Sequence, residues 1–245
     1  MKLRSILQPF AHLAGAAFRI LPKKKRFDVA RRIALAMAPL LRRSRYYARR
    51  PSLIDGSREE ALRMVLRTMT RARVEFDPDI ELRGLELFPD GGVLIVSGHF
   101  LLNVLMTRWM FDAGRRFTAA LGGPREPMYY FGTTVPLPYR YSGPQFLVQL
   151  RSDLAAGNIC SVAIETQVPD ENWIPFDTAA GRRYLSPATL TFACRIRTPV
   201  VFVATYLNRE GRVVQTYERP HSDDPTAMTE ELLEFLQRHI AAVER

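Results

Sequence analysis

The sequence predicts an α/β fold: a single domain with a largely parallel central sheet flanked by helices, preceded by an N-terminal helical arm. Three observations lead there. Short, unbroken apolar runs such as Val93-Leu94-Ile95-Val96 and Val200-Val201-Phe202-Val203-Ala204 read as strands buried on both faces. Segments of helical periodicity lie between them, and strands alternating with helices make a parallel sheet covered on both sides. No internal repeat or low-complexity linker divides the chain, and 245 residues with 47% hydrophobic side chains suffice for one substantial core.

Taken in order, Leu3, Ile6, Leu7, Phe10, Leu13, Ala14, Ala17 and Leu21 recur at helical spacing, and Lys23, Lys24, Lys25 and Arg26 follow. A second amphipathic stretch, 28–43, carries Val29, Ile33, Leu35, Met37, Leu40 and Leu41 among Arg31, Arg32, Arg42 and Arg43, with Arg45, Arg49 and Arg50 beyond. No run approaches the ~18 apolar residues of a membrane span. Basic residues beside an apolar helical face fit an interfacial anchor on anionic lipid, each charge contributing about 1 kcal/mol. The alternative is a helix packed on the domain with a solvated basic face, and the coincidence of apolar and electrostatic signals in one segment favours the membrane. We divide the chain into an arm, 1–56, and an α/β domain, 57–245.

Within the domain the pattern gives a helix over 57–75 and a short strand Ile80-Glu81-Leu82. A turn at Pro89-Asp90-Gly91 leads to the strand 92–96 and a helix over 100–113. A strand near 117–121, a Gly/Pro-rich stretch 122–144 and a helix over 145–156 follow. Next come a strand over 159–164, a loop from Glu165 to Arg183, and a helix over 186–197. Strands over 200–206 and 213–217 and a helix over 226–243 complete the chain.

The strand 92–96 delivers Ser97-Gly98-His99-Phe100 to its C-terminal end. That rim is where open α/β sheets bind ligands, and His99 is the side chain there that titrates near neutrality, which makes it a candidate general base. If residues 100 onward continue as a helix, Asn103 lies one turn along, where its amide oxygen can accept the imidazole N–H. Glu165 ends the strand 159–164 and offers a carboxylate if the two strands are neighbours. A cap paired with an Arg is the alternative reading of it. Arg182 and Arg183, after Gly181, suit a phosphate through their guanidinium forks, and Arg125 and Arg140 in the Gly/Pro-rich loop are further candidates. Met128, Tyr129, Tyr130, Phe131, Leu137 and Tyr139 in that loop either line a groove for an acyl chain or roof the core.

Other chemistries lack their signatures. No G-x-S-x-G surrounds Ser97, the His, Cys and Asp residues show no metal spacing, and neither G-x-G-x-x-G nor a Walker lysine occurs, so no cofactor is expected. With 35 Lys plus Arg against 25 Asp plus Glu, the net charge of +10 favours anionic partners. Nucleic acid is not expected among them, because Tyr46-Tyr47 is the only aromatic pair beside the basic run. Cys160 and Cys194, both in apolar surroundings, read as reduced, buried thiols.

These residues carry a resemblance. Gly91 to Leu105, GGVLIVSGHFLLNVL, resembles the first motif of the lysophospholipid and lipid A biosynthesis acyltransferase superfamily, in which a strand ends in Gly-His-Phe and a carboxylate stands five residues after the His. The helix 145–156, Gly157 and the strand 159–164 are similar to the segment before that family's second motif. Ile174-Pro175-Phe176, Gly181-Arg182-Arg183, the helix 186–197 and Thr198-Pro199-Val200-Val201 are similar to its later blocks. The resemblance spans roughly residues 28–220.

It implies a membrane-associated acyltransferase at the cytoplasmic face of a bacterial inner membrane, peripheral or monotopic. Such an enzyme moves a fatty acyl group from a thioester of acyl carrier protein or coenzyme A to a hydroxyl or amine of a lipid or glycolipid. His99 stands at the position of the base. Val104 stands where the family has its carboxylate, so the alternative expectation is a catalytically impaired relative that binds lipid or acts as a scaffold.

Overall fold

The computed structural model describes residues 16–44, 56–121, 128–141, 143–166, 171, 173–178 and 181–244. Most of the first amphipathic stretch, Arg45 to Arg50 and Arg125 lie outside the described residues.

The fold is α/β. Seven strands form the central sheet: β1 (Ile80–Arg83), β2 (Val93–Ser97), β3 (Phe117–Leu121), β4 (Tyr139–Tyr141), β5 (Ile159–Ala163), β9 (Val200–Leu207) and β10 (Val213–Glu218), in the order β1-β10-β9-β2-β5-β3-β4. From β9 to β4 every neighbour is parallel, while β10 runs antiparallel to β9 with β1 parallel beside it. The apolar runs explain the centre: β2 and β9 are buried at every residue. The 145–156 and 186–197 helices are α4 (Phe146–Ala155) and α5 (Ala188–Arg195), and the terminal helix is α6 (Pro225–Glu244). All three contribute to the cluster on one face of the sheet, where Leu94, Val96, Cys160 and Val162 meet Leu150, Leu154, Leu190, Leu232 and Phe235.

Three expectations change. The loop from Glu165 to Arg183 contains a second, antiparallel sheet of β6 (Glu165–Thr166), β7 (Ile174–Thr178) and β8 (Gly181–Leu185), ordered β6-β8-β7. Its alternation of one buried and one solvated face is carried by strands too short to stand out against a polar background. The Gly/Pro-rich stretch contributes β4 at the sheet edge. The helix expected from residue 100 starts only at α3 (Met106–Asp112), after a 3-10 turn over Asn103–Leu105.

Basic residues do not keep the arm apart from the domain. Helix α1 (Lys23–Arg42) buries Phe27, Ala30, Ala34 and Ala38 against α2 (Ser57–Arg71), whose Ala61, Leu62, Leu66 and Met69 are likewise buried. Alanines at four-residue spacing let the two helices approach closely. Phe27 stacks on Phe76, which meets Phe131 edge-on, so the cluster reaches the segment just after β2 at Leu102 and Leu105. Arg31 donates to the Gly211 carbonyl at 2.8 Å, tying α1 to the turn between β9 and β10. Among the described residues no helix is long and apolar enough to cross a membrane.

Candidate functional site

The register of two adjacent strands brings the site together. Ser97 of β2 pairs with Ala163 of β5 in parallel, so His99 and Glu165, each two residues further on, reach the same level at the C-terminal end of the sheet. Neighbouring strands lie about 4.8 Å apart, well within the reach of the two side chains. The strand is closed just beyond by the Ile164 N–H donating to the Ser97 carbonyl at 3.0 Å.

Glu165 Oε2 accepts two hydrogen bonds from one residue, 2.9 Å from the backbone N–H of His99 and 2.6 Å from its ring Nδ1. The carboxylate side chain is wholly buried, whereas the imidazole is 49% exposed. With Nδ1 donating to a carboxylate, the tautomer is assigned by that bond, and Nε2 keeps the lone pair. A backbone N–H and a ring nitrogen held by the same oxygen fix both the main chain and the ring plane of His99. The arrangement is a base oriented by an acid, able to take a proton from a nucleophile and later return it.

The other expected residues go to different places. Asn103 does not contact the imidazole. Its amide nitrogen donates to Ser97 Oγ at 3.0 Å and to the Gly98 carbonyl at 3.3 Å, and Ser97 Oγ donates to that same carbonyl at 2.9 Å. The cause is the 3-10 turn: the helical phase assumed for a chain continuing straight from Phe100 is lost, and Asn103 turns back to brace the loop that carries His99. Val104, at the position where the resembled motif has its acid, packs against the cluster of α1 and α2.

Arg183 is not a solvent-facing phosphate ligand. Antiparallel pairing sets Glu165 opposite Leu185, so Arg183, two residues away on β8, shares their face and is the diagonal neighbour of the carboxylate. Its guanidinium is buried, with Nε 3.8 Å from Glu165 Oε1. Arg182, one residue earlier, falls on the opposite face by the same alternation, is exposed and pairs with Asp177 at 3.2 Å. The two therefore cannot grip one phosphate together. Arg140 makes a two-pronged pair with Asp153 of α4 at 3.0 and 3.1 Å, an ordinary edge-strand contact, and Arg125 lies outside the described residues.

In the Gly/Pro-rich stretch, Tyr130, Phe131 and Leu137 are buried in the core clusters rather than lining a groove. Both cysteines are free, and burial pushes the Cys160 thiol up to about 12. Two open clefts lie away from His99. One of about 510 Å³ is bordered by Asp77, Asp79, Arg108 and Asp112, and one of about 730 Å³ by Arg151, Arg195 and Arg197 at the opposite end of β2. Sequence reasoning had a basis for Glu165 in its place at a strand end. It had none for burying Arg183, because the hairpin that turns it inward is built of strands too short to show a pattern. No family model matches the chain, and no curated protein matches it.

Proposed function

We propose that the protein is a membrane-associated acyltransferase, moving a fatty acyl group from a thioester of acyl carrier protein or coenzyme A to a hydroxyl or amine of a lipid or glycolipid. The observation that carries this reading is the 2.6 Å contact between the half-exposed His99 ring and the buried Glu165 at the C-terminal end of a parallel sheet. Glu165 beside the imidazole supports the catalytic reading over a lipid-binding or scaffold relative, because it offers the carboxylate that Val104 does not.

In this mechanism His99 Nε2 removes the acceptor proton as its oxygen or nitrogen attacks the thioester carbonyl carbon. Glu165 remains ionised and supports the imidazolium through Nδ1–H. Collapse of the tetrahedral intermediate breaks the carbon–sulfur bond, and the departing thiolate takes the proton back from Nε2. Ester or amide and free thiol result, with His99 neutral again.

Contact with the bilayer is supported by α1. About a quarter-turn round the helix from its buried alanines, Ile33, Met37 and Leu40 stand exposed as one stripe, Leu40 at 70%, with exposed Lys25, Arg32 and Arg43 on the far side of it. An apolar stripe bordered by cations matches an anionic membrane surface, which the reading assigns to the cytoplasmic face of a bacterial inner membrane.

The test is thiol release from palmitoyl-coenzyme A and palmitoyl-acyl carrier protein in the presence of lipid extracts, with acylated products identified by mass spectrometry. The parent should form an acylated lipid and His99→Ala should not. Equal product from both would reject the reading.

A further inference from the structure

Glu165 is a wholly buried carboxylate whose described hydrogen bonds all go through one oxygen, Oε2, to His99. Its other oxygen, Oε1, has no hydrogen-bond partner among the described residues and sits 3.8 Å from the buried Arg183 Nε. A carboxylate removed from water needs a compensating charge nearby. The imidazole supplies a hydrogen bond. Without a cation on the far side, the buried carboxylate would be left with the hydrogen bonds of His99 as its whole compensation.

We propose that Arg183 is a positioning residue that acts through Glu165: its guanidinium balances the buried carboxylate and holds it where the His99 Nδ1 stays anchored. The catalytic meaning of this rests on the function proposed above, although the charge arrangement does not. His99, Glu165 and Arg183 then form one line, with the cation on the side of the carboxylate away from the ring.

The surroundings agree with this assignment. Among the described residues, the ionisable groups paired with Glu165 are His99, from the turn after β2, and Arg183, from β8. β7 presents Phe176 opposite Arg183, β5 leads into the line through the buried Ile164, and β8 adds the buried Leu185. These three belong to one apolar cluster, which keeps water from screening the pair. Asp177 on β7 is engaged with Arg182 on the other face of the hairpin.

The experiment compares Arg183→Met, Arg183→Gln and Arg183→Lys with the parent, reading the His99 ring resonances and the low-field Nδ1 proton by NMR across pH, together with the pH–rate profile of acyl transfer. Loss of the cation should move the His99 titration, and with it the acidic limb of the rate profile, to higher pH by about one unit or more. Arg183→Lys should return both most of the way. A Met or Gln variant that is folded by circular dichroism and titrates as the parent does would overturn the proposal, as would a rate loss with an unchanged pH profile. If Arg183→Met does not fold, the Gln and Lys variants decide: displacement in Gln but not in Lys supports the role, and equal displacement in both rejects it. Should the parent transfer no acyl group, the NMR arm still tests Arg183 while the functional reading alone fails.

Discussion

One carboxylate oxygen of Glu165 holds His99 twice, through the backbone N–H at 2.9 Å and through the ring Nδ1 at 2.6 Å, across 66 residues of sequence. Replacing that oxygen by an amide keeps the shape while removing the charge and confusing the tautomer. Glu165→Gln should therefore lower turnover by about 10² to 10⁴, by analogy with the Asp-to-Asn change in a serine protease triad. Thiol-release kinetics on a variant with an unchanged circular dichroism spectrum check this. Val104→Glu should not rescue it, because position 104 faces the helical cluster and a carboxylate there lowers the melting temperature instead.

Asn103 braces the loop carrying the histidine. Asn103→Ala gives up its bonds to Ser97 Oγ and the Gly98 carbonyl. The expected loss is about 1 to 2 kcal/mol of stability in urea unfolding, with a fall in turnover that exceeds any change in KM. Unaltered turnover would show that the loop holds His99 without it.

His239 gives the protein a pH dependence of stability. Packed on Phe235 and Tyr206, its ring is held down to about 4 by burial first and by the cations Arg238 and Arg83 after it. Below the ordinary histidine range the unfolded chain takes up this proton and the folded chain does not, so stability falls as pH drops from about 6.5 to about 4. The loss is on the order of 3 kcal/mol. Glu59, whose carboxyl burial pushes upward, works in the opposite sense. Denaturant curves of parent and His239→Phe measured at each pH cancel that contribution, and the difference between them should shrink through this window. A constant difference would count against the assignment.

The exposed stripe of α1 should govern lipid binding. Ile33→Ser, Met37→Ser and Leu40→Ser together leave the buried face of Phe27, Ala30, Ala34 and Ala38 intact. Sedimentation with vesicles containing anionic phospholipid should fall by tenfold or more, at about 0.8 kcal/mol per methylene withdrawn from the interface, with little change in melting temperature. Binding of the parent should weaken as salt screens the flanking cations. Retained sedimentation would move the lipid contact off this helix.

Much of this molecule was legible along the chain. The apolar runs of β2, β5 and β9 and the helices between them emerge from local patterns, since burying a continuous run or a helical stripe is a requirement each segment expresses in its own residues. The imidazole at the end of β2 followed in the same way, and Glu165 could be named as a strand-end acid. The short, mostly polar strands β6 to β8 carry too few residues for a pattern, and their pairing is set by partners at a distance.

The sequence by itself determined the fold class, the buried strands and the imidazole at the rim. Only the tertiary structure decided who stands beside that imidazole. Strand adjacency and register put Glu165 there, a 3-10 turn sent Asn103 elsewhere, and hairpin alternation turned Arg183 inward and Arg182 out. Contacts between segments far apart in sequence arise from the cooperative burial of the whole sheet, and no local window of residues encodes them.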